Sequence, residues 1–167
     1  MPRRQADARG TFVKPFSEVE FAAKGLVSAW AESYYSHSVP GVVRGMHCQT
    51  PPHQHAKLVC CVQGRVIDVA LDLRPGPTFG QFETVELSAA NGHALYLPAG
   101  FAHGFCVPDD QLEGATLLYY VSSAYAPSAD TGVRSDSFGF AWPMATPTLS
   151  DRDLALPRLA EWQVQPW

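Results

Sequence analysis

Six polar residues that strands would turn toward the interior carry the chemistry legible in this chain: Arg44, His47, Lys57, Asp68, His103 and Tyr119. A histidine takes a proton near neutral pH, a lysine ammonium stabilises a developing enolate oxygen, and a tyrosine returns a proton from the opposite side. Together they point to acid–base chemistry at a carbon beside a carbonyl. Each also admits a plainer role: Asp68 and His103 could pair in a core, Tyr119 could be an amphipathic wall, and Lys57 could snorkel outward.

The histidines raise the question of a metal. Gly92-x5-Pro98-x-Gly100-x2-His103 resembles the second motif of cupin barrels, and His53-x-His55 could pass for the first, whose two histidines and a glutamate complete a metal site. Val59 and Cys60 stand where that carboxylate should follow, and Pro51-Pro52 places His53 in a turn. No catalytic metal is therefore expected. A metal-dependent cupin enzyme built on His47, His53, His55 and His103 is the alternative, which elemental analysis distinguishes.

Strands must position these groups. Val66 to Leu73 alternates, sending Ile67, Val69, Leu71 and Leu73 to one face and Asp68 and Asp72, with Val66 and Ala70, to the other. Lys57–Val62, Phe82–Leu87, Ala94–Leu97, Gly104–Val107 and Thr116–Ser122 are further strands, separated by turn sequences such as Gln63-Gly64, Pro75-Gly76-Pro77 and Asn91-Gly92. A short helix starts within Phe16–Phe21 and ends near Gly25. After Pro127 the patterning weakens into a Pro-rich loop, and a helical stretch begins at Asp151, capped by Ser150 or Asp151. Short strands and frequent turns indicate a sandwich or barrel.

Composition narrows the class. A chain of 167 residues, 46% hydrophobic and 17% charged, fits one domain over residues 1–167. A net charge of -4 gives no general basic surface, so nucleic acid is not expected as a partner and any phosphate must be held by a few local cations. The absence of a long apolar run or a signal-type core after Met1-Pro2-Arg3-Arg4 predicts no membrane association and a cytoplasmic location. Cys48, Cys60, Cys61 and Cys106 lie in apolar runs without C-x-x-C spacing and read as reduced, buried thiols.

The order of motifs then resembles a known family. Gly41-Val42-Val43-Arg44-Gly45-Met46-His47, Ala56-Lys57-Leu58-Val59, Gln63 to Arg74, Pro77-Thr78-Phe79-Gly80-Gln81, Val85 to Ala89, Leu97 to Phe105 and Leu118-Tyr119-Tyr120 are similar to the dTDP-4-dehydrorhamnose 3,5-epimerases. Arg9-Gly10 and Leu149-Ser150-Asp151-Arg152-Asp153 extend the likeness over almost the whole chain. It implies an all-β, cupin-type jelly-roll barrel with short C-terminal helices, usually homodimeric and free of cofactors. The implied reaction is epimerisation of a nucleoside-diphosphate 4-keto-6-deoxyhexose at C3, C5 or both, through an enolate, in deoxysugar biosynthesis.

By that resemblance His47 is the general base, held by Asp153; Lys57 faces the C4 oxygen; and Tyr119 is the acid. Arg9, Arg44 and Arg152 match or replace positions that hold the diphosphate, while Phe12, Lys14, Glu32, Tyr34, His103 and Tyr125 are implied to contact substrate and Asp68 to support the site. Three departures stand out. Only six residues precede Asp7-Ala8-Arg9-Gly10, where the family has a full strand that helps knit the dimer; Lys14 replaces a common glutamate; and Glu32 and Tyr34 replace Gln and Asn. Glu32 could accept from the amino group of cytosine or guanine, making CDP or GDP the alternative to dTDP, unless it is engaged by Lys14. Other readings are an epimerase of one carbon only, a ketoisomerase, and a sugar-nucleotide binding module without catalysis.

Overall fold

Alternating runs emerge as strands because one side of each finds a core. The computed structural model describes residues 2–167, so Met1 lies outside the described residues. In chain order it contains β1 (Arg3–Asp7), β2 (Gly10–Lys14), α1 (Glu18–Ala22), β3 (Glu32–Ser38), β4 (Val43–Gln49), β5 (Lys57–Gln63) and β6 (Arg65–Asp72). There follow β7 (Phe82–Ser88), β8 (Ala94–Leu97), β9 (Phe101–Cys106), β10 (Ala115–Val121), β11 (Asp130–Gly132), α2 (Asp151–Ala155) and a 3-10 turn at Leu159–Glu161. Among the described residues no helix is long and apolar enough to cross a membrane.

The strands form a four-stranded sheet, β3-β10-β5-β8, and a five-stranded sheet, β11-β4-β9-β6-β7, with every pairing inside them antiparallel. One apolar cluster takes Val59, Cys61, Leu117 and Tyr119 from the first sheet and Val66, Leu87 and Phe105 from the second. The two sheets therefore pack face to face, as in a cupin-type jelly roll. The β1–β2 pair is a separate ribbon hydrogen-bonded to neither.

Both faces of β6 are buried, so its polar residues do not face solvent. Val66, Asp68 and Ala70 turn into the barrel, while Val69 and Leu71 lie in a second cluster with Met46, Cys48, Leu73, Ala102, Val133 and Phe138. The segment after Pro127, expected as a loop, is the lid of that cluster: Phe140, Trp142, Trp162 and Trp167 pack on it. Apart from Asp130–Gly132, which joins the five-stranded sheet as β11, it lacks strand periodicity because it covers a sheet. Trp142 Nε1 donates to Ser135 O at 2.9 Å and Trp167 Nε1 to Leu73 O at 3.2 Å, satisfying indole donors that burial would otherwise strand.

The first helix stops at Ala22, and Gly25, with φ of 67°, closes it as a left-handed residue can. Phe16, Phe21 and Trp30 then pack edge-on against one another, and Phe21 and Trp30 also against Tyr96, on the outer face of the four-stranded sheet. The four cysteines are unpaired and buried.

Candidate active site

A local irregularity aims the central histidine. Along β4 and β9, Arg44 faces Phe105 but His47 faces His103, three steps against two, so β4 carries a bulge. The bulge runs through Gly45, whose φ is 117° and where a Cβ would sit 2.6 Å from Gly104 Cα. Only glycine allows both that conformation and that approach. His47 emerges at the barrel mouth with its side chain 24% exposed.

Asp153 meets it from the far end of the chain. Ser150 Oγ accepts the N–H of Asp153 at 3.1 Å, capping α2 and fixing the direction in which that short helix enters. Asp153 Oδ1 lies 2.6 Å from His47 Nε2, and Oδ2 accepts the Gly45 N–H at 3.3 Å. Burial raises the Asp153 pKa, but the hydrogen bond and charge of His47, with the Gly45 N–H, more than reverse this and hold it below the ordinary value. An ionised carboxylate only accepts, so the proton between them sits on Nε2 and His47 Nδ1 is left with its lone pair.

Lys57 is buried, 8% exposed, and its Nζ donates to the carbonyl of His47 at 3.3 Å. Burial depresses its pKa, opposed by Asp130 and Asp68. Deeper in the barrel, His103 Nε2 lies 2.9 Å from both oxygens of the fully buried Asp68. Desolvation raises Asp68, and His103 and Lys57 pull it back. Tyr119 stacks on Tyr34 with ring centroids 4.9 Å apart, meets His103 edge-on and shares a 3.3 Å hydrogen bond with Ser36 Oγ. Burial pushes its phenol well above the ordinary tyrosine range, so it keeps its proton.

His47, Lys57, Glu32, Tyr34, Tyr125 and Arg152 line one cavity of about 410 Å³. A groove beside it is bordered by Arg44, His47, Arg152 and Asp153. Arg152 is half exposed and pairs with Asp130 at 2.7 Å. The arrangement opens a held histidine and a buried ammonium onto a mouth flanked by two guanidinium groups, which suits proton transfer on an anionic substrate. The protonated phenol of Tyr119 and His103 are not among the lining residues, and Tyr119 stacks on Tyr34, which is.

The sequence model of the dTDP-4-dehydrorhamnose 3,5-epimerase family matches residues 1–161. The chain is 40% identical over 157 residues to the dTDP-4-dehydrorhamnose 3,5-epimerase of Shigella flexneri, covering 92% of this chain and 85% of that protein. The chain belongs to the dTDP-4-dehydrorhamnose 3,5-epimerase family. To the dTDP-4-dehydrorhamnose 3-epimerase of Streptomyces niveus it is 42% identical over 164 residues, covering 96% of this chain and 78% of the other. The crystal structure of the Bacillus anthracis dTDP-4-dehydrorhamnose 3,5-epimerase with TDP and PPi bound superposes with a TM-score of 0.88 at 35% identity, covering 94% and 90% of the two chains. The protein is thus an epimerase of the cupin fold.

Not every residue implied by membership of this epimerase family reaches the cavity. Arg44 is exposed at the rim, not inside the barrel, because its Nε is drawn to Ser38 Oγ at 2.8 Å and its Nη2 to His37 O at 3.3 Å. Arg9 and Phe12 sit on the β1–β2 ribbon and border a different hollow. Arg9 is 90% exposed and forks onto Asp7, and Phe12 is 58% exposed. Since that ribbon pairs only with itself, nothing in one chain carries them to His47. Lys14 borders a third groove with Phe21 and Tyr96, so it does not engage Glu32, whose Oε1 accepts the Tyr125 N–H at 3.2 Å.

The histidines of the metal reading do not gather at one point, and His47 meets Asp153. The carbonyl of His53 accepts from Gln49 and Ser123, His55 meets Gln49, and His103 meets Asp68. Among the described residues no three His, Cys, Asp or Glu side chains gather as a metal site requires. Gln49, Ser123 and Asp130 also line this cavity and were missed from sequence, and His55, weighed there only as a metal ligand, lines it too. Two of them had a signal, since Gln49 is two residues from His47 and His55 two from Lys57, the spacing that keeps side chains on one face of a strand. Asp130 lies in the unpatterned segment after Pro127 and had none.

Proposed function

We propose that the protein inverts C3 and C5 of a 4-keto-6-deoxyhexose carried on dTDP, by removing and returning the protons beside the ketone. The observation that carries this reading is the 2.6 Å His47–Asp153 hydrogen bond next to the buried ammonium of Lys57. His47 Nδ1 takes the proton from carbon, and the electrons of that C–H bond form the C=C of an enolate whose negative charge settles on the C4 oxygen. Lys57 donates to that oxygen; one such donor in a dry site is worth about 3 kcal/mol of barrier. Tyr119 protonates the carbon from the opposite face, and its phenolate recovers a proton from solvent while His47 releases the one it took. Opposed base and acid turn exchange into inversion.

Arg44 and Arg152 flank the groove where the diphosphate lies, and Glu32, Tyr34 and Tyr125 border the nucleoside. The relatives crystallised with TDP and with dTDP-4-keto-L-rhamnose support dTDP as the carrier. The free-standing β1–β2 ribbon with exposed Phe12 and Arg9 supports a homodimer in which each ribbon reaches the partner's cavity. Four unpaired thiols fit a cytoplasmic enzyme. A second reading, inversion at C3 alone, is favoured by the 42% identity to a 3-epimerase.

The test is proton NMR of dTDP-4-keto-6-deoxyglucose in D2O with wild type and His47→Ala. Deuterium entering C3 and C5, and lost in the variant, is the expected result; entry at C3 alone selects the second reading, and no entry in wild type overturns both. Sedimentation should show a dimer. A mixture of the inactive Arg9→Ala and His47→Ala variants should regain activity if ribbons cross between copies.

A further inference from the structure

His55 has no part in the reaction just described, yet it is placed where a reactant would meet it. Gln49 follows His47 by two residues on β4, and His55 precedes Lys57 by two at the entry to β5. All four line the same cavity. The two pairs touch across the gap between the sheets: Lys57 Nζ donates to His47 O at 3.3 Å, and Gln49 Nε2 lies 3.1 Å from His55 Nδ1. His55 therefore stands one residue pair along the cavity wall from the base and the ammonium.

Gln49 fixes its tautomer. The Gln49 Oε1 accepts the Ala126 N–H at 2.7 Å, which sets the orientation of the amide and makes Nε2 the donor side. Its two N–H bonds are shared among His53 O at 2.8 Å, Ala124 O at 3.2 Å and His55 Nδ1 at 3.1 Å, and since an amide nitrogen does not accept, the Nδ1 facing it must offer its lone pair. The imidazole proton sits on Nε2. Burial, with the charges of Lys57 and His103, lowers the His55 pKa to about 3, so the ring stays neutral at working pH. Among the described residues, His55 Nε2 is the only buried imidazole nitrogen without a hydrogen-bond partner. That nitrogen is closed to water, so a ligand oxygen reaches it by displacing what covers it, and an oriented, neutral N–H with no acceptor in the protein gains one in doing so.

We propose that His55 is a substrate-binding residue whose Nε2–H donates to an oxygen of the hexose, a proposal that rests on the reading of this cavity as a keto-sugar site. The hexose is selected over the rest of the ligand by position and charge. His55 shares its cavity with His47 and Lys57, where the reacting carbons lie; Arg152 reaches both that cavity and the neighbouring groove, and Arg44 borders the groove alone, which suits the diphosphate. Phosphate oxygens favour charged forks, while a neutral N–H suits a hydroxyl or carbonyl oxygen. Its neutrality also adds no second cation beside Lys57.

The experiment is nitrogen-15 NMR of the full chain labelled at histidine, with His55→Gln assigning the resonance, in the presence of dTDP or dTDP-glucose. The expected result is a neutral Nε2–H tautomer at pH 7 that dTDP-glucose shifts and protects from solvent exchange and that dTDP alone leaves unchanged. In the deuterium-exchange assay His55→Leu should raise KM about tenfold with kcat within about threefold, and His55→Gln, which keeps an N–H donor, should restore KM to within about threefold. A proton on Nδ1, equal responses to dTDP and dTDP-glucose, or an unchanged KM in His55→Leu would overturn the assignment. If dTDP-glucose moves His55 but wild type exchanges no deuterium, the epimerase reading falls and the sugar contact stands. If exchange proceeds and His55 does not respond, the reverse holds.

Discussion

Asp153 accepts a 2.6 Å hydrogen bond from His47 across 106 residues of chain, and so ties the last helix to the bulged strand at the barrel mouth. The contact depends on two local devices. The glycine bulge in β4 turns His47 outward, and the Ser150 cap points α2 inward. Neither makes sense alone: the bulge without the helix leaves an unoriented imidazole, and the helix without the bulge buries a carboxylate with no partner.

Asp153→Asn should lower deuterium exchange by roughly 10²–10⁴, because an amide can present either end to Nε2 and no longer dictates the tautomer. It should also change the acid stability. The fold holds the Asp153 carboxyl below its ordinary 3.8, so its contribution to stability is complete above that pH and is lost as pH falls through the lower folded value. Thermal midpoints of wild type and variant should differ at pH 6 to 7, wild type higher, and draw together below pH 3.8. A gap that does not narrow refutes the assignment.

Lys57→Met should cost activity and gain stability. The ammonium is buried, and burial lowers its pKa from 10.5, so the folded chain holds this proton less tightly than the unfolded one. Stability therefore rises with pH between the folded value and 10.5, and at neutral pH the charge is a net burden. Methionine of similar length removes it for a gain of about 1–2 kcal/mol, or roughly 2–8 °C in thermal midpoint, while exchange falls about 10²–10³. The stability advantage should shrink as pH approaches 10.5. A variant that is less stable yet fully active contradicts both halves.

His103→Leu should destabilise the barrel by about 3–5 kcal/mol, since Asp68 is fully buried and loses the partner that offsets its desolvation. Without His103 the Asp68 carboxyl rises further and binds its proton more tightly in the folded chain. Stability of the variant should then fall as pH climbs above 3.8, so its urea midpoint lies closer to wild type at pH 5 than at pH 8. Adding Asp68→Asn should recover much of the loss. Equal deficits at both pH values argue that packing, not the ion pair, is what His103 supplies.

The parts legible in the sequence are those where one strand face meets one core. Val66 to Leu73 shows its alternation, Asp68 and His103 fall on the inward face, and Ser150 three residues before Asp153 reads as a cap. β3 was not legible, because Glu-Ser-Tyr-Tyr-Ser-His-Ser has no apolar face: as an edge strand it sends Glu32 and Tyr34 to the cavity rather than a core. The tail after Pro127 hid its role for the opposite reason, covering a sheet with scattered Phe and Trp that follow no period. Arg9 and Phe12 were grouped with His47 by motif order, which says nothing of distance when a ribbon stands apart from both sheets.

Tyr119→Phe separates exchange from inversion. The ring is buried and stacked on Tyr34, and phenylalanine keeps that packing while losing the Ser36 hydrogen bond, so stability should change by only about 1 kcal/mol. If Tyr119 supplies the proton on the face opposite His47, the variant still lets His47 remove a proton and return deuterium to the same face. Deuterium should enter the substrate with its configuration retained, while the new epimer forms roughly 10²–10⁴ times more slowly. The retained phenol proton makes this testable across a wide pH range, because burial holds the Tyr119 pKa far above 10 and the wild-type acid does not titrate away at pH 9. Proton NMR of recovered substrate and product gives both rates at once. A parallel fall in the two rates places Tyr119 in substrate binding instead, and an unchanged rate of inversion means the acid is another group or water.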